Sequence, residues 1–431
     1  MMTKSLTLQK FAPISLVRQR PVRLAAFVLV LFISLRASGA ESHSLQKDEH
    51  VILFPGYAHP VNGGAAWELV IHGRVCKGWD PPPLLGSFVK KIALLLAENR
   101  RPSSFKLKLL SNPVTTVAGH PAPSQNTPQS PDIAVTPVDF KKEDSGHFTV
   151  KRTVSEKQLL PWLQESECGY KKLLVGVRDS RDPESRNYIY LYHDEGIAVV
   201  SDIDDTIKDT HVWSAEAMVV RTFLPFKRVT GMPELYQYWC KHYHTRFYYV
   251  SGTFDQLCGP IQSFLEHSGF PPGSLDTKVV NIRDLPGTPG IPGSRPHSPA
   301  EIRADDPCKY KIKRIEPILK DFPNTKFCLV GDAGEGDDKA YLKLASDHPD
   351  QVRWICIRRL VPHEHFHEAL ITAREKDARF VQLSPSTRFI LFNGKTGDPT
   401  FVNAPLPEKI LEEITAREKG PPDSLNDIFR R

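Results

Sequence analysis

The sequence predicts an α/β protein: a doubly wound, mainly parallel sheet in the C-terminal half, preceded by a β-rich domain. Three observations predict it. From Gly196 onward, short apolar runs alternate with segments of helical spacing, as strands joined by crossover helices do. Before that point apolar residues alternate at period two, without helical segments between them. Finally, several of the later apolar runs end abruptly in acidic or hydroxyl residues. Open parallel sheets bind ligands at such carboxyl ends of their strands.

The first forty residues read as a targeting segment. They carry Lys4, Lys10, Arg18, Arg20, Arg23 and Arg36 and no acid. Leu24 to Leu35 is apolar, and Ser38-Gly39-Ala40 offers small residues for cleavage. A spanning helix needs about 20 apolar residues. The run therefore fits a cleaved signal peptide (1–40) and export, secreted or periplasmic, with an uncleaved membrane anchor as the alternative. Net charge over 431 residues is +6, and the six leader cations account for all of it. The near-neutral remainder leaves no footprint for nucleic acid. The 7 cysteines contain no C-x-x-C pair, which argues against a structural zinc site. Cys328 and Cys356 lie in apolar runs and are expected as buried thiols.

Residues 51–195 form the β-rich accessory domain. Trp67, Leu69, Ile71 and Val75 alternate with polar or small residues. His147 to Val154, Leu173 to Val177 and Tyr188 to Tyr192 are further strand candidates. Between them, 111–137 is rich in Pro, Ser, Thr and Gln, too polar to offset its ordering entropy, and is expected as a flexible insertion. Tyr188, Tyr190 and Tyr192 share one strand face. Core packing is the default for such a face, and a lipid-docking surface the alternative.

Residues 196–395 form the α/β domain. Strands are expected at Ile197 to Val200, Arg246 to Val250, Lys326 to Val330 and Val352 to Ile357. Helices are expected at Met232 to His242, Gln256 to His267 (closed by Gly269) and about Pro307 to Asp321. The Pro/Gly-dense stretch 285–299 must be a loop. A helix from about Glu364 to Lys376 and two short strands complete the domain, and 396–431 is a tail with a helix at Glu408 to Lys419.

The strand ends carry the chemistry. The first leads into Asp202-Ile-Asp204-Asp-Thr206, and the second into Ser251-Gly252-Thr253. Lys309, Lys311 and Lys313 lie on the helix from Pro307, and helical spacing alone does not choose among them. The third strand leads into Gly331-Asp332, with Asp337 and Asp338 following. Paired carboxylates at a strand end need a cation or strong hydrogen bonds, because desolvating an unpaired carboxylate costs several kcal/mol. A hard divalent ion such as Mg²⁺ relieves that cost through oxygen ligands. Arg358, at the end of the last of these strands, either reaches a substrate or is a solvated salt-bridge partner.

These four elements, in this order, resemble the motif set of the haloacid dehalogenase superfamily of phosphotransferases. The segments Val200 to Lys208, Gly231 to Tyr236, Tyr249 to Gly252, Gly269 to Ser274 and Val330 to Asp332 are more narrowly similar to the phosphatidate phosphatases of the fungal actin-patch type. The resemblance covers about Gly196 to Val361 closely and Val51 to Glu195 loosely. It implies Mg²⁺-dependent hydrolysis of a phosphomonoester, phosphatidate at a membrane surface, through an aspartyl-phosphate. Asp202 would be the nucleophile, Asp204 the acid and base, and Ser251 and Lys311 the holders of phosphoryl oxygens. Thr206, Gly252, Thr253 and Arg358 would line the substrate side. The metal would be held by Asp202, Asp204, Asp332 and Asp337. The alternatives are a soluble phosphomonoester substrate, or a non-catalytic phosphate- or lipid-binding protein on the same fold. One departure stands out: the family's Ser-Pro-Trp is replaced by Thr253-Phe254-Asp255. Asp255 either adds charge beside the phosphate pocket or caps the following helix.

Overall fold

The computed structural model describes residues 45, 49–77, 97–99, 104–110, 130–140, 146–178, 180, 182–209, 227–229, 231–279, 307–332, 336–359, 388–393 and 400–401. The leader, the loop 285–299, the helices expected beyond 364 and most of the tail lie outside these residues.

The N-terminal region is one ten-stranded sheet. Its strands are β1 (Glu49–Leu53), β2 (Gly56–Val61), β3 (Ala66–Lys77), β4 (Glu98–Asn99), β5 (Phe105–Leu110), β6 (Asp132–Val135), β7 (His147–Ser155), β8 (Gln164–Glu165), β9 (Lys171–Val177) and β10 (Arg186–Leu191). A single helical turn, α1 (Glu156–Leu159), follows β7. The order is β1-β3-β2-β10-β9-β5-β6, with β4 and β7 also on β3 and β8 on β9. Only the β2–β10 pair is parallel. Alternation puts Leu69, Ile71, Val75, Leu107, Val150 and Val175 into one buried cluster. One expectation is corrected here. Of the stretch 111–137 expected as a flexible insertion, residues 130–137 are described, and there Asp132–Val135 is a strand that pairs with β5 and buries Ile133 and Val135. Two apolar residues at period two are enough to add a strand, and the polar average over the stretch concealed them.

The chain leaves that sheet at Leu191 and enters a second at Ile197. Here follow β11 (Ile197–Ser201), a small ladder of β12 (Lys208–Asp209) with β13 (Lys227–Arg228), α2 (Met232–Tyr243), β14 (Arg246–Phe254), α3 (Cys258–His267), β15 (Ser274–Lys278), α4 (Pro307–Asp321), β16 (Lys326–Asp332), α5 (Asp337–Asp347), β17 (Val352–Arg359), β18 (Arg388–Asn393) and β19 (Thr400–Phe401). The strand order is β15-β14-β11-β16-β17-β18-β19. Every pair but β18–β19 is parallel. β11 is central and fully apolar from Ala198 to Val200, as a strand covered on both faces must be. The pairing Ser201↔Tyr249 and Ser201↔Val330 sets the end of β11 beside the last residues of β14 and β16. The residues just past β11 therefore meet Ser251 and Thr253 near the end of β14 and Asp332 at the end of β16.

The two regions share a core. Phe54, Tyr57, Val70, Tyr170, Tyr190 and Tyr192 pack in one cluster with Phe247, Tyr248, Phe322 and Phe327 of the second region. Tyr192 donates to the Phe247 carbonyl at 3.1 Å, and Tyr57 to Asp321 Oδ2 at 2.7 Å. The tyrosine face of β10 is thus covered by the parallel-sheet region. A disulfide joins Cys168 of the first region to Cys240 on α2, 72 residues away. In the chain-entropy model a closed loop of that size contributes on the order of 4 kcal/mol. Cys328 and Cys356 are buried free thiols. Among the described residues no helix is long and apolar enough to cross a membrane.

Candidate active site

The site forms where β11, β14 and β16 end. The Asp202 amide donates to the Val330 carbonyl at 2.8 Å, which continues the β11–β16 ladder one residue past the strand and fixes the Asp202 side chain. The chain then turns tightly, with the amides of Thr206, Ile207 and Lys208 all donating to the Ile203 carbonyl. Asp205 takes φ +54° in this turn, a left-handed conformation that few non-glycine residues adopt. Arg358 stabilises it: Nη1 donates to the Asp205 carbonyl at 2.6 Å. Arg358 is buried, and this contact holds the turn.

Asp202, Thr206, Ser251, Lys311, Asp332 and Asp337 are all essentially excluded from solvent. Thr206 Oγ1 donates to Asp202 Oδ2 at 3.0 Å and reaches Asp332 Oδ2 at 3.5 Å. Lys311 Nζ lies 2.7 Å from Asp202 Oδ1 and also pairs with Asp337. Lys309 and Lys313, on the same helix, are exposed, so Lys311 alone of the three is buried in the site. Asp337 Oδ2 accepts from the Asp332 amide at 3.2 Å. Gly331 makes that approach possible, because a Cβ there would collide with the Asp337 carboxylate.

Asp204 sits at the lip, its side chain 15% exposed. It accepts from Ser251 Oγ and Lys208 Nζ, each at 3.0 Å, and from Thr253 Oγ1. Burial pushes its carboxyl up. The Lys208 ammonium, with hydrogen bonds from Thr253, Lys208 and Ser251, outweighs burial and holds the carboxyl below the usual range. Gly252 lies on β14 between its two hydroxyl donors. The ten sequence-predicted site residues thus come together, eight of them around two carboxylate poles, Gly252 between two of these, and Arg358 behind the 203–208 turn.

Carboxylate oxygens of Asp202, Asp332 and Asp337 lie within 4.8 Å of one another. Around this trio, four buried or lip carboxylates (with Asp204) face three cations, Lys208, Lys311 and Arg358. An arriving phosphate dianion would deepen that negative excess, so the donor set fits a hard divalent cation.

Sequence reasoning missed three supporting residues. Lys208 follows Asp204 by four residues, a spacing visible in the sequence. Tyr310 donates to the Ser251 carbonyl at 3.0 Å and fixes the phosphate-side strand end from α4. The third concerns Asp255. Its carboxylate is fully buried rather than open to the site. Instead it meets His147 Nε2 at 2.6 Å and Arg74 Nε at 3.7 Å, both from the N-terminal region. No local signal reveals a partner 108 residues away.

Residues 197–359 match the family model described as the catalytic domain of phosphatidate phosphatase APP1. Phosphatidate phosphatase APP1 of Saccharomyces cerevisiae is 33% identical over 181 residues, 40% of this chain. The chain spans 27% of that relative's length. Two crystal structures of β-glucuronidase from Parabacteroides merdae align at 10% and 9% identity, covering 73% and 80% of this chain and 34% and 40% of theirs. Their TM-scores of 0.25 and 0.26 carry no argument.

Proposed function

We propose, for a chain whose residues 197–359 are an APP1-type catalytic domain, that it hydrolyses phosphatidate to diacylglycerol and phosphate. The reading takes the α/β region as a doubly wound, haloacid-dehalogenase-like phosphatase domain working in an exported protein at a membrane surface. The observation that carries it is the pairing of Lys311 Nζ with Asp202 Oδ1 at 2.7 Å beside Asp332 and Asp337.

Asp202 attacks phosphorus in line and becomes the aspartyl-phosphate, while the alkoxide of the lipid leaves. Thr206 and Lys311 orient the attacking carboxylate. The Ser251 O–H shifts its hydrogen bond from Asp204 to a phosphoryl oxygen when substrate enters, and Lys311 neutralises a second oxygen. Asp204 protonates the leaving alkoxide and then takes a proton from the water that hydrolyses the intermediate. Arriving phosphate charge and the loss of Ser251 both favour protonation of Asp204, which the free site holds ionised. Mg²⁺, when held by Asp202, Asp332, the Asp204 carbonyl and Asp337, directly or through water, supplies charge neutralisation.

The test is phosphate release from phosphatidate in detergent micelles and from a panel of soluble phosphomonoesters, with Mg²⁺ and with EDTA. Mg²⁺-dependent release, fastest on phosphatidate, is expected. Release from a soluble ester alone would move the substrate, and no release from any ester would leave a binding protein.

A further inference from the structure

A cavity of about 250 Å³ lies at the seam of the two regions, away from the aspartate cluster. Tyr57, Val70 and Phe148 wall it from the N-terminal side, and Tyr248, Leu275 and Ile318 from the other. Its size lies just below the ~300–1,000 Å³ typical of drug-sized ligands, so it suits a small one.

The polar groups around it have a direction. Lys151, Lys313 and Arg314 line it, against one carboxylate, Asp276. Arg314 pairs with Asp276 at 3.5 Å, and Lys151 with Glu68 and Asp321, while Lys313 is exposed. The lining is therefore cationic. Three other lining residues are at least nine-tenths buried and carry polar atoms without a hydrogen-bond partner: His147 Nδ1, Tyr248 Oη and Thr277 Oγ1. Buried polar atoms left unmet are costly and uncommon, and three around one cavity mark a place for a polar ligand group.

We propose that this seam cavity binds a small carboxylate amphiphile, its chain against the aromatic walls and its head among the cationic and unmet polar groups. A medium-chain fatty acid is the simplest member of that class. His147 gives the site a route inward: it lines the cavity, and its Nε2 holds Asp255, two residues beyond Thr253. The proposal does not rest on the phosphatase reading, since binding is read without turnover.

Calorimetric titration of the full chain tests it, using octanoate, octyl phosphate and octanol. Octanoate is expected to bind at one site, with octanol at least about tenfold weaker. Thr149→Trp, a β-compatible residue that fills the cavity from β7, should abolish binding. Lys313→Glu, an exposed substitution that leaves the fold unchanged, should weaken octanoate at least about threefold and leave octanol unaffected. Absence of octanoate binding would overturn the proposal. So would octanol binding as tightly, or octanoate affinity unchanged in Lys313→Glu and in a folded Thr149→Trp. Octyl phosphate binding with octanoate silent would replace the carboxylate with a phosphate head and also overturn it.

Discussion

His147 Nε2 donates to Asp255 Oδ2 at 2.6 Å, fully buried, and so ties the end of β14 to the β-rich region. Asp255 lies two residues beyond Ser251-Gly252-Thr253, and Arg74 stands behind the same carboxylate at 3.7 Å. The N-terminal region thereby braces the strand end that would hold the phosphoryl group. It also removes the reason to expect Asp255 to repel an anionic headgroup.

Asp255→Ala should destabilise the protein by about 3–5 kcal/mol, because it leaves the Arg74 guanidinium buried without this carboxylate. Urea unfolding of wild type and variant measures it. A loss within about 0.5 kcal/mol, the range of ordinary surface substitutions, would contradict the brace.

Asp204→Asn should slow phosphatidate hydrolysis by about 10²–10⁴-fold, the usual worth of a positioned general acid. Turnover of p-nitrophenyl phosphate, whose leaving group needs little protonation, should fall far less. Equal losses on both esters would make Asp204 a structural or metal-holding residue only.

Glu68 should lend pH-dependent stability. Burial raises its carboxyl, but the Lys151 hydrogen bond and charge, with His59, take it below the usual value. A carboxyl lowered in the folded state contributes stability above its unfolded pKa and loses it as pH falls through the folded one. Glu68→Gln should therefore lower the Tm at pH 7, and the difference should vanish well below the ordinary glutamate pKa of about 4.3. A Tm difference that persists undiminished there would contradict the assignment.

Export should leave a mature chain beginning near Glu41 with the Cys168–Cys240 disulfide formed. Intact mass of the native protein, before and after reduction, reads both. A chain retaining the leader with all thiols reduced would refute export.

Much of this was legible in the sequence because it is local. Asp202, Asp204, Ser251 and Asp332 sit at the ends of apolar runs, and Lys311 on an amphipathic helix, so order along the chain placed them together. The strands around Trp67 to Val75, His147 to Val154, Leu173 to Val177 and Tyr188 to Tyr192, and the four central strands of the second sheet, followed from period and turn residues, whereas β1, β2, β5 and β15 were not read and 400–401 pairs into the sheet from the stretch read as tail. What was not legible is long-range. The partnership of Asp255 with His147, the disulfide between Cys168 and Cys240, and the packing of the β10 tyrosines on Tyr248 and Phe322 join residues whose neighbourhoods carry no sign of one another. Asp132–Val135 failed for a different reason, since a strand with two buried side chains is too short to lift a polar average.

The central claim is that Asp202 takes the phosphoryl group. Wild type mixed with phosphatidate and Mg²⁺, quenched in acid and mapped by peptide mass spectrometry, tests it most directly. The account predicts one phosphoryl group on Asp202 of the Ile197 to Lys208 segment, and none in Asp202→Asn, which also releases no phosphate. Phosphate release by Asp202→Asn, or rapid turnover by wild type with the phosphoryl group on another residue, would contradict it.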